Sequence, residues 1–168
     1  TESHTFMFWA QNNTPSCNTG MVIAEYNASS NTNNVLHYGF RSCYDGQCPS
    51  GSCMTMDFLN NGLYSGSYLE VDWTHWGLTY NSNTLERVIY QNGQIVAQDI
   101  SFSAYTGDLN LIIGAGVNYS PGYFNGNIDE LSLWSTALTQ QAIQSHMTEE
   151  LSGAEEGLVG YWNFNAGT

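Results

Sequence analysis

Glu70-Val71-Asp72 places two carboxylates at alternate positions, the spacing that sets both on one face of a β-strand. Two carboxylates held about 5 Å apart can serve as nucleophile and acid in retaining glycoside hydrolysis. Two residues further on, where another carboxylate would continue the pattern, stands Thr74. One partner is missing from the local motif, so Glu70 and Asp72 are expected to form a solvated strand end and the chain is expected not to be an enzyme. The four histidines, His4, His37, His75 and His146, have no second ligand at metal spacing. For His75, packing and one hydrogen bond are the expected role. No Gly-x-Ser-x-Gly elbow occurs, and Gly114-Ala115-Gly116 has no following helix with which to hold a phosphate.

Cys17, Cys43, Cys48 and Cys53 form an even, clustered set, which reads as two disulfides with three possible pairings. The spacing matches no common zinc pattern. We favour Cys43–Cys53 across a hairpin turning near Asp45-Gly46, which leaves Cys17–Cys48. Disulfides imply an oxidising, secreted or cell-surface location. Three sequons, at Asn12, Asn27 and Asn118, agree with it and are candidate glycosylation sites, although asparagine is abundant enough to produce sequons by chance. The opening residues, TESHTFMFWA, lack the basic start and long apolar stretch of a signal peptide, so the chain is expected to begin at a processed or excised end.

The net charge is −13 with Arg41 and Arg87 as the only cations among lysines and arginines. Nucleic-acid binding needs several cationic contacts to phosphates and is excluded on that ground. No apolar run approaches the roughly 20 residues of a membrane span. Sugar recognition combines a flat aromatic with polar neighbours, and exposed aromatics favour ligand contact. Tyr64, Tyr68, Tyr119 and Tyr123 lie in Gly/Ser/Asn-rich surroundings, and Tyr44 lies in the cysteine loop. Each is a candidate carbohydrate contact, with a core or strand-edge position as the alternative.

The dominant period is two. Short apolar stretches bounded by Asn, Gly, Ser or Asp predict strands at Thr5–Ala10, Met21–Tyr26, Val35–Arg41, Met54–Leu59, Tyr68–Val71, His75–Tyr80, Leu85–Tyr90, Ile95–Asp99, Leu109–Gly114, Asn127–Trp134 and Leu158–Phe164. In the seventh, Glu86, Val88 and Tyr90 share one face while Leu85, Arg87 and Ile89 share the other. Asn92-Gly93 predicts a type I′ hairpin, which needs positive φ at both central residues. The alternation in Asn127–Trp134 slips near Glu130-Leu131. A short helix is expected over 138–147, with Thr139 as N-cap and Ile143 and Met147 on its docking face.

Several segments in order resemble the laminin-G-like branch of the concanavalin A-like jelly rolls, which is related to the pentraxins. They are HTFMFWAQ (4–11), WTHWGLTYN (73–81), LERVIYQNGQIVA (85–97), LIIGAG (111–116), FNGNIDELSLWSTALTQQAI (124–143) and GLVGYWNFNAGT (157–168). FNGNIDELSLW is the most specific of these. The resemblance implies one all-β domain over residues 1–168, an antiparallel two-sheet jelly-roll sandwich with one short helix near the C-terminus. It also implies a possible calcium site near a loop at the sandwich rim: Asp129 and Glu130 match the family's Asp-Glu pair, with Asn118 and Asn125 nearby. The alternative is that Asp129 caps a turn or accepts from backbone amides. Members usually carry a strand ahead of the segment like HTFMFWA, and it is absent here. An open sheet edge beside Thr5–Ala10 is therefore expected, to be covered by the C-terminal segment, by other copies or by tandem domains. The expected function is an extracellular, non-catalytic adhesion or carbohydrate-binding module, its partner a glycan or a cell-surface protein. The rivals are a structural subunit of a filament or surface assembly and, more weakly, a glycoside hydrolase-like domain.

Overall fold

The computed structural model describes residues 2–14, 20–25, 35–42, 48, 51–58, 60–66, 71–107, 110–116 and 122–165. A six-stranded antiparallel sheet is built from β1 (His4–Asn12), β6 (Thr74–Tyr80), β7 (Glu86–Gln91), β8 (Gln94–Ile100), β10 (Gly126–Trp134) and β11 (Leu158–Trp162), in the order β11-β10-β1-β6-β7-β8. The second sheet holds β2 (Gly20–Glu25), β3 (His37–Ser42), β4 (Ser52–Asp57), β5 (Gly62–Tyr64) and β9 (Leu111–Ile113), in the order β5-β4-β3-β2-β9. Helix α1 (Gln140–His146) lies between β10 and β11 in the chain. The two-sheet sandwich and its single short helix match the expected fold class.

Period-two alternation builds the core. Phe6, Phe8, Trp76, Leu78, Tyr80 and Ile89 of the first sheet meet Tyr38, Phe40, Met54, Met56 and Leu63 of the second. Burying each side chain of this size stabilises by roughly 1.5–3 kcal/mol, and this interface supplies most of the driving force. Two polar residues belong to the same interior. His4 shares a 2.7 Å hydrogen bond from Nε2 with the Tyr38 hydroxyl, and burial pulls its pKa down to about 4. Arg87, 1% exposed, lies on the core face with Ile89, as the alternation predicted. Its fork grips Asp99 at 2.9 and 2.6 Å and donates at 3.2 Å to the Met56 carbonyl of the opposite sheet, with the Phe58 ring beneath.

The opposite face of the first sheet carries α1. Thr139 caps the helix, its hydroxyl accepting from the Ala142 N–H at 3.3 Å. Ile143 packs with Met7, Val88, Tyr90 and Trp134. Gly77 makes room for it, since a Cβ there would lie 2.8 Å from Ile143 Cδ1. The β7–β8 turn holds the helix from the side: the Gly93 carbonyl accepts from Gln140 and Gln144, each at 2.9 Å. Asn92 and Gly93 both have positive φ, at 48° and 71°, as a type I′ turn requires.

Two expectations need correction. β1 is not at an edge: β10 flanks it on one side and β6 on the other, with β11 outside β10. The C-terminal segment thus sits within the sheet of its own chain. The observed disulfide is Cys48–Cys53, which excludes both Cys43–Cys53 and Cys17–Cys48. The register explains it: Tyr38 and Phe40 must face the core with Met54 and Met56, and that sets Arg41 opposite Cys53. Cys17 and Cys43 lie outside the described residues. Finally, β5 was not anticipated, and most of the strand expected over Tyr68–Val71 lies outside the described residues.

Candidate functional sites on the two outer faces

On the outer face of the second sheet, β3 turns Tyr38 and Phe40 inward, so Arg41 points away from the core. Its guanidinium stands 5.8 Å from the centroid of the Tyr64 ring. It also forms an ion pair at 3.1 Å with Asp57, whose other carboxylate oxygen accepts from the Asn61 N–H at 2.9 Å. The corner therefore joins an aromatic ring, a forked donor and a carboxylate acceptor. Tyr64 pairs with Thr55, Thr55 with Gly39, Gly39 with Met21, and Met21 bridges to Tyr123. Tyr64 and Tyr123 are thus the two ends of one cross-strand row, four steps or about 19 Å apart. The middle of the row is buried, whereas Tyr123 is 68% exposed. Tyr44, Tyr68 and Tyr119 lie outside the described residues. Arg41, Thr55 and Asp57 were not anticipated as site residues. The alternation of β3 and β4 could have found them once Tyr38, Phe40, Met54 and Met56 were assigned to the core.

Of the expected calcium ligands, Asp129, Glu130 and Asn125 are among the described residues. Asp129 and Glu130 are adjacent on β10, and Asn125 lies just ahead of the strand, four residues before Asp129. Asp129 Oδ1 accepts from the Glu130 N–H at 2.9 Å, the bond to a backbone amide held as one alternative. Glu130 accepts from the Tyr161 hydroxyl, and the Asn125 carbonyl accepts from the Asn13 N–H at 3.0 Å. Among the described residues no group of three or more His, Cys, Asp or Glu gathers as a metal site. Asn118 lies outside the described residues, as do Asn27 and Glu70. Asn12 is only 3% exposed with its Nδ2 enclosed, which leaves no room for a glycan on the folded chain. Asp72 is exposed, as a solvated strand end should be.

A cleft of about 290 Å³ opens on the outer face of the first sheet, beside the end of α1. Met7 and Trp9 of β1, His75 of β6, and Glu130 and Ser132 of β10 line it from the sheet, facing residues 146–151. A β-bulge shapes this floor. Met7 pairs with Ser132 but Trp9 with Asp129, so β10 carries one residue more than β1 across Glu130-Leu131, and Glu130 takes φ 50°. The slip in the sequence alternation marks this place. His75 is packed edge-on against Trp9, with centroids 5.5 Å apart, and burial lowers its pKa to about 4. The His146 ring stacks on Trp134 at 4.7 Å and fixes the helix end.

Two packed antiparallel sheets around one core define a jelly-roll sandwich. The chain belongs to the concanavalin A-like lectin/glucanases superfamily, whose laminin-G model matches residues 1–144. It is 30% identical over 120 residues to the human adhesion G-protein coupled receptor D1, a match covering 68% of this chain and 13% of the receptor. The fold is similar to that of a candidate carbohydrate binding protein from Bacteroides ovatus, with TM-score 0.75 and 21% identity over 98% of this chain and 46% of that one. It is also similar to the CBM40 of the Ruminococcus gnavus IT-sialidase bound to α2,6 sialyllactose, with TM-score 0.61 and 11% identity over 86% and 82% of the two chains. At these identities the likeness to the two bacterial structures concerns the fold.

Proposed function

We propose that this domain is a non-catalytic, extracellular glycan-binding and adhesion module whose sugar contact is the Tyr64–Arg41–Asp57 corner. The observation that carries the proposal is the guanidinium poised beside the Tyr64 ring and paired with Asp57. A sugar presents an apolar C–H face and a fringe of hydroxyls. The Tyr64 ring offers a surface for the first, and the Arg41 guanidinium, held in place by the buried Asp57, offers donors for the second. The B. ovatus and R. gnavus structures support a glycan partner, and the adhesion receptor match supports a role at a cell surface. The Cys48–Cys53 disulfide supports an oxidising compartment. Asp129 and Glu130 are engaged within the fold, so the proposal places no calcium in the contact.

A glycan array probed with the isolated domain tests this, run once with calcium and once with chelator. The expected result is retention of a restricted glycan set under both conditions, without release of reducing sugar. Retention of no glycan would overturn the proposal. Loss of all binding in chelator would restore a calcium site.

A further inference from the structure

Tyr64 rides on β5, which is three residues long and lies at the edge of its sheet. Three residues hydrogen-bonded on one side only are a weak hold. Asp57, which anchors Arg41, has a side chain only 3% exposed. A carboxylate that deep needs hydrogen-bond donors. Arg41 supplies one at 3.1 Å, and the Asn61 backbone N–H supplies another at 2.9 Å. Asn61 stands immediately before β5 and is itself buried. Its side chain is bonded in the interior: Nδ2 donates to the Ser101 hydroxyl at 2.8 Å, and Oδ1 accepts from Arg87 at 3.2 Å. Its carbonyl accepts from Arg87 and from the Phe58 N–H. Every polar group of Asn61 is therefore engaged, the N–H toward the corner and the side chain toward Arg87, which Asp99 grips in turn.

We infer that Asn61 is a positioning residue of the sugar contact, holding both the Asp57–Arg41 pair and the strand that bears Tyr64; the inference rests on the sugar reading of that corner. Arg87 and Ser101 fix the Asn61 side chain, and with it the direction of the Asn61 N–H. That N–H fixes one oxygen of Asp57, and the other oxygen holds Arg41. The same anchor ties down the chain where it enters β5, just ahead of Tyr64. Asn61 thus presets the 5.8 Å separation of guanidinium and ring without touching the ligand. A contact set before its ligand arrives loses less freedom on binding, which raises affinity.

Two readings on Asn61→Ala test this role, one on Arg41 in the free domain and one on the glycan. In isotopically labelled protein, the NMR order parameter of the Arg41 Nε–Hε group should fall below that of the parent. A glycan selected on the array should bind the variant about threefold more weakly or worse, at a temperature where thermal denaturation shows it folded. An Asn61 that served stability alone would lower the melting temperature and leave the order parameter and the affinity at their parental values. Ser101→Ala removes one grip on Asn61 from within the fold, and it should move both readings in the same direction by a smaller amount. It carries the test if Asn61→Ala does not fold. A parental order parameter in the folded variant, or parental affinity where Tyr64→Ala has lost binding, would overturn the inference. Parental affinity in Tyr64→Ala as well would overturn the sugar reading, and the inference with it.

Discussion

His4 and His75 are buried as neutral rings, each with its pKa lowered to about 4 by loss of water. An unfolded histidine takes its proton near pH 6.5. Both contributions are therefore complete above pH 6.5 and fade as pH falls toward 4, because the unfolded chain binds protons that the folded chain refuses. Each histidine should weaken folding by about 2 kcal/mol between pH 7.5 and pH 5. Urea denaturation at the two values should show the loss, and His4→Gln should remove about half of it, since an amide nitrogen can still meet Tyr38. Equal slopes in parent and His4→Gln would contradict this account of His4. Arg87 is a different buried group, charged and satisfied. Its fork joins Asp99 to the Met56 carbonyl across the sandwich. Arg87→Ala leaves the buried Met56 carbonyl without its donor and should cost about 1–3 kcal/mol. Arg87→Lys keeps the charge but not the fork, so it should recover only part of that stability. Denaturation midpoints of the two variants give the comparison.

At the scale of elements, the short-range signals carried furthest. Asn92-Gly93 specifies its turn, Thr139 its helix start, and the alternation of Trp76, Leu78 and Tyr80 against His75, Gly77 and Thr79 the two faces of β6. Such features depend on neighbours within a few residues. β5 escaped notice because three residues in a Gly/Asn/Ser-rich stretch carry no period of their own. The disulfide pairing escaped because it depends on the β3–β4 register, which the core residues set. The cleft was invisible for a similar reason: β1, β6 and β10 are neighbours in the sheet but far apart in the chain. Its wall depends on the docking of α1 over Gly77. Gly77→Val should lower stability by about 1–3 kcal/mol through overpacking against Ile143. Thermal denaturation checks the effect, and a variant with parental stability would show that Gly77 does not govern the docking.

For the whole molecule, charge and sheet edges determine how copies meet. The expectation of assembly rested on an open edge at β1, which β10 and β6 close. The edges of the described sheets are β11 and β8 in one, and β5 and β9 in the other. A net charge of −13 opposes close packing of copies. Sedimentation at physiological salt should therefore give a monomer, and a dimer would direct attention to the exposed apolar residues Ile95 and Ile100 on β8. The chain spans only 13% of the adhesion receptor it matches, so its partners within a longer protein are part of the proposal.

The central claim is that the outer face of the second sheet binds sugar. It is tested most directly by titrating an array-selected glycan into isotopically labelled domain and following each residue by NMR. The account predicts shifts concentrated at Tyr64, Arg41, Thr55 and Asp57, with Trp9 and His75 still, and at least a tenfold weaker affinity in Tyr64→Ala, roughly 1.4 kcal/mol. Shifts centred on Trp9 and His75 instead, or an unchanged affinity in Tyr64→Ala, would contradict it.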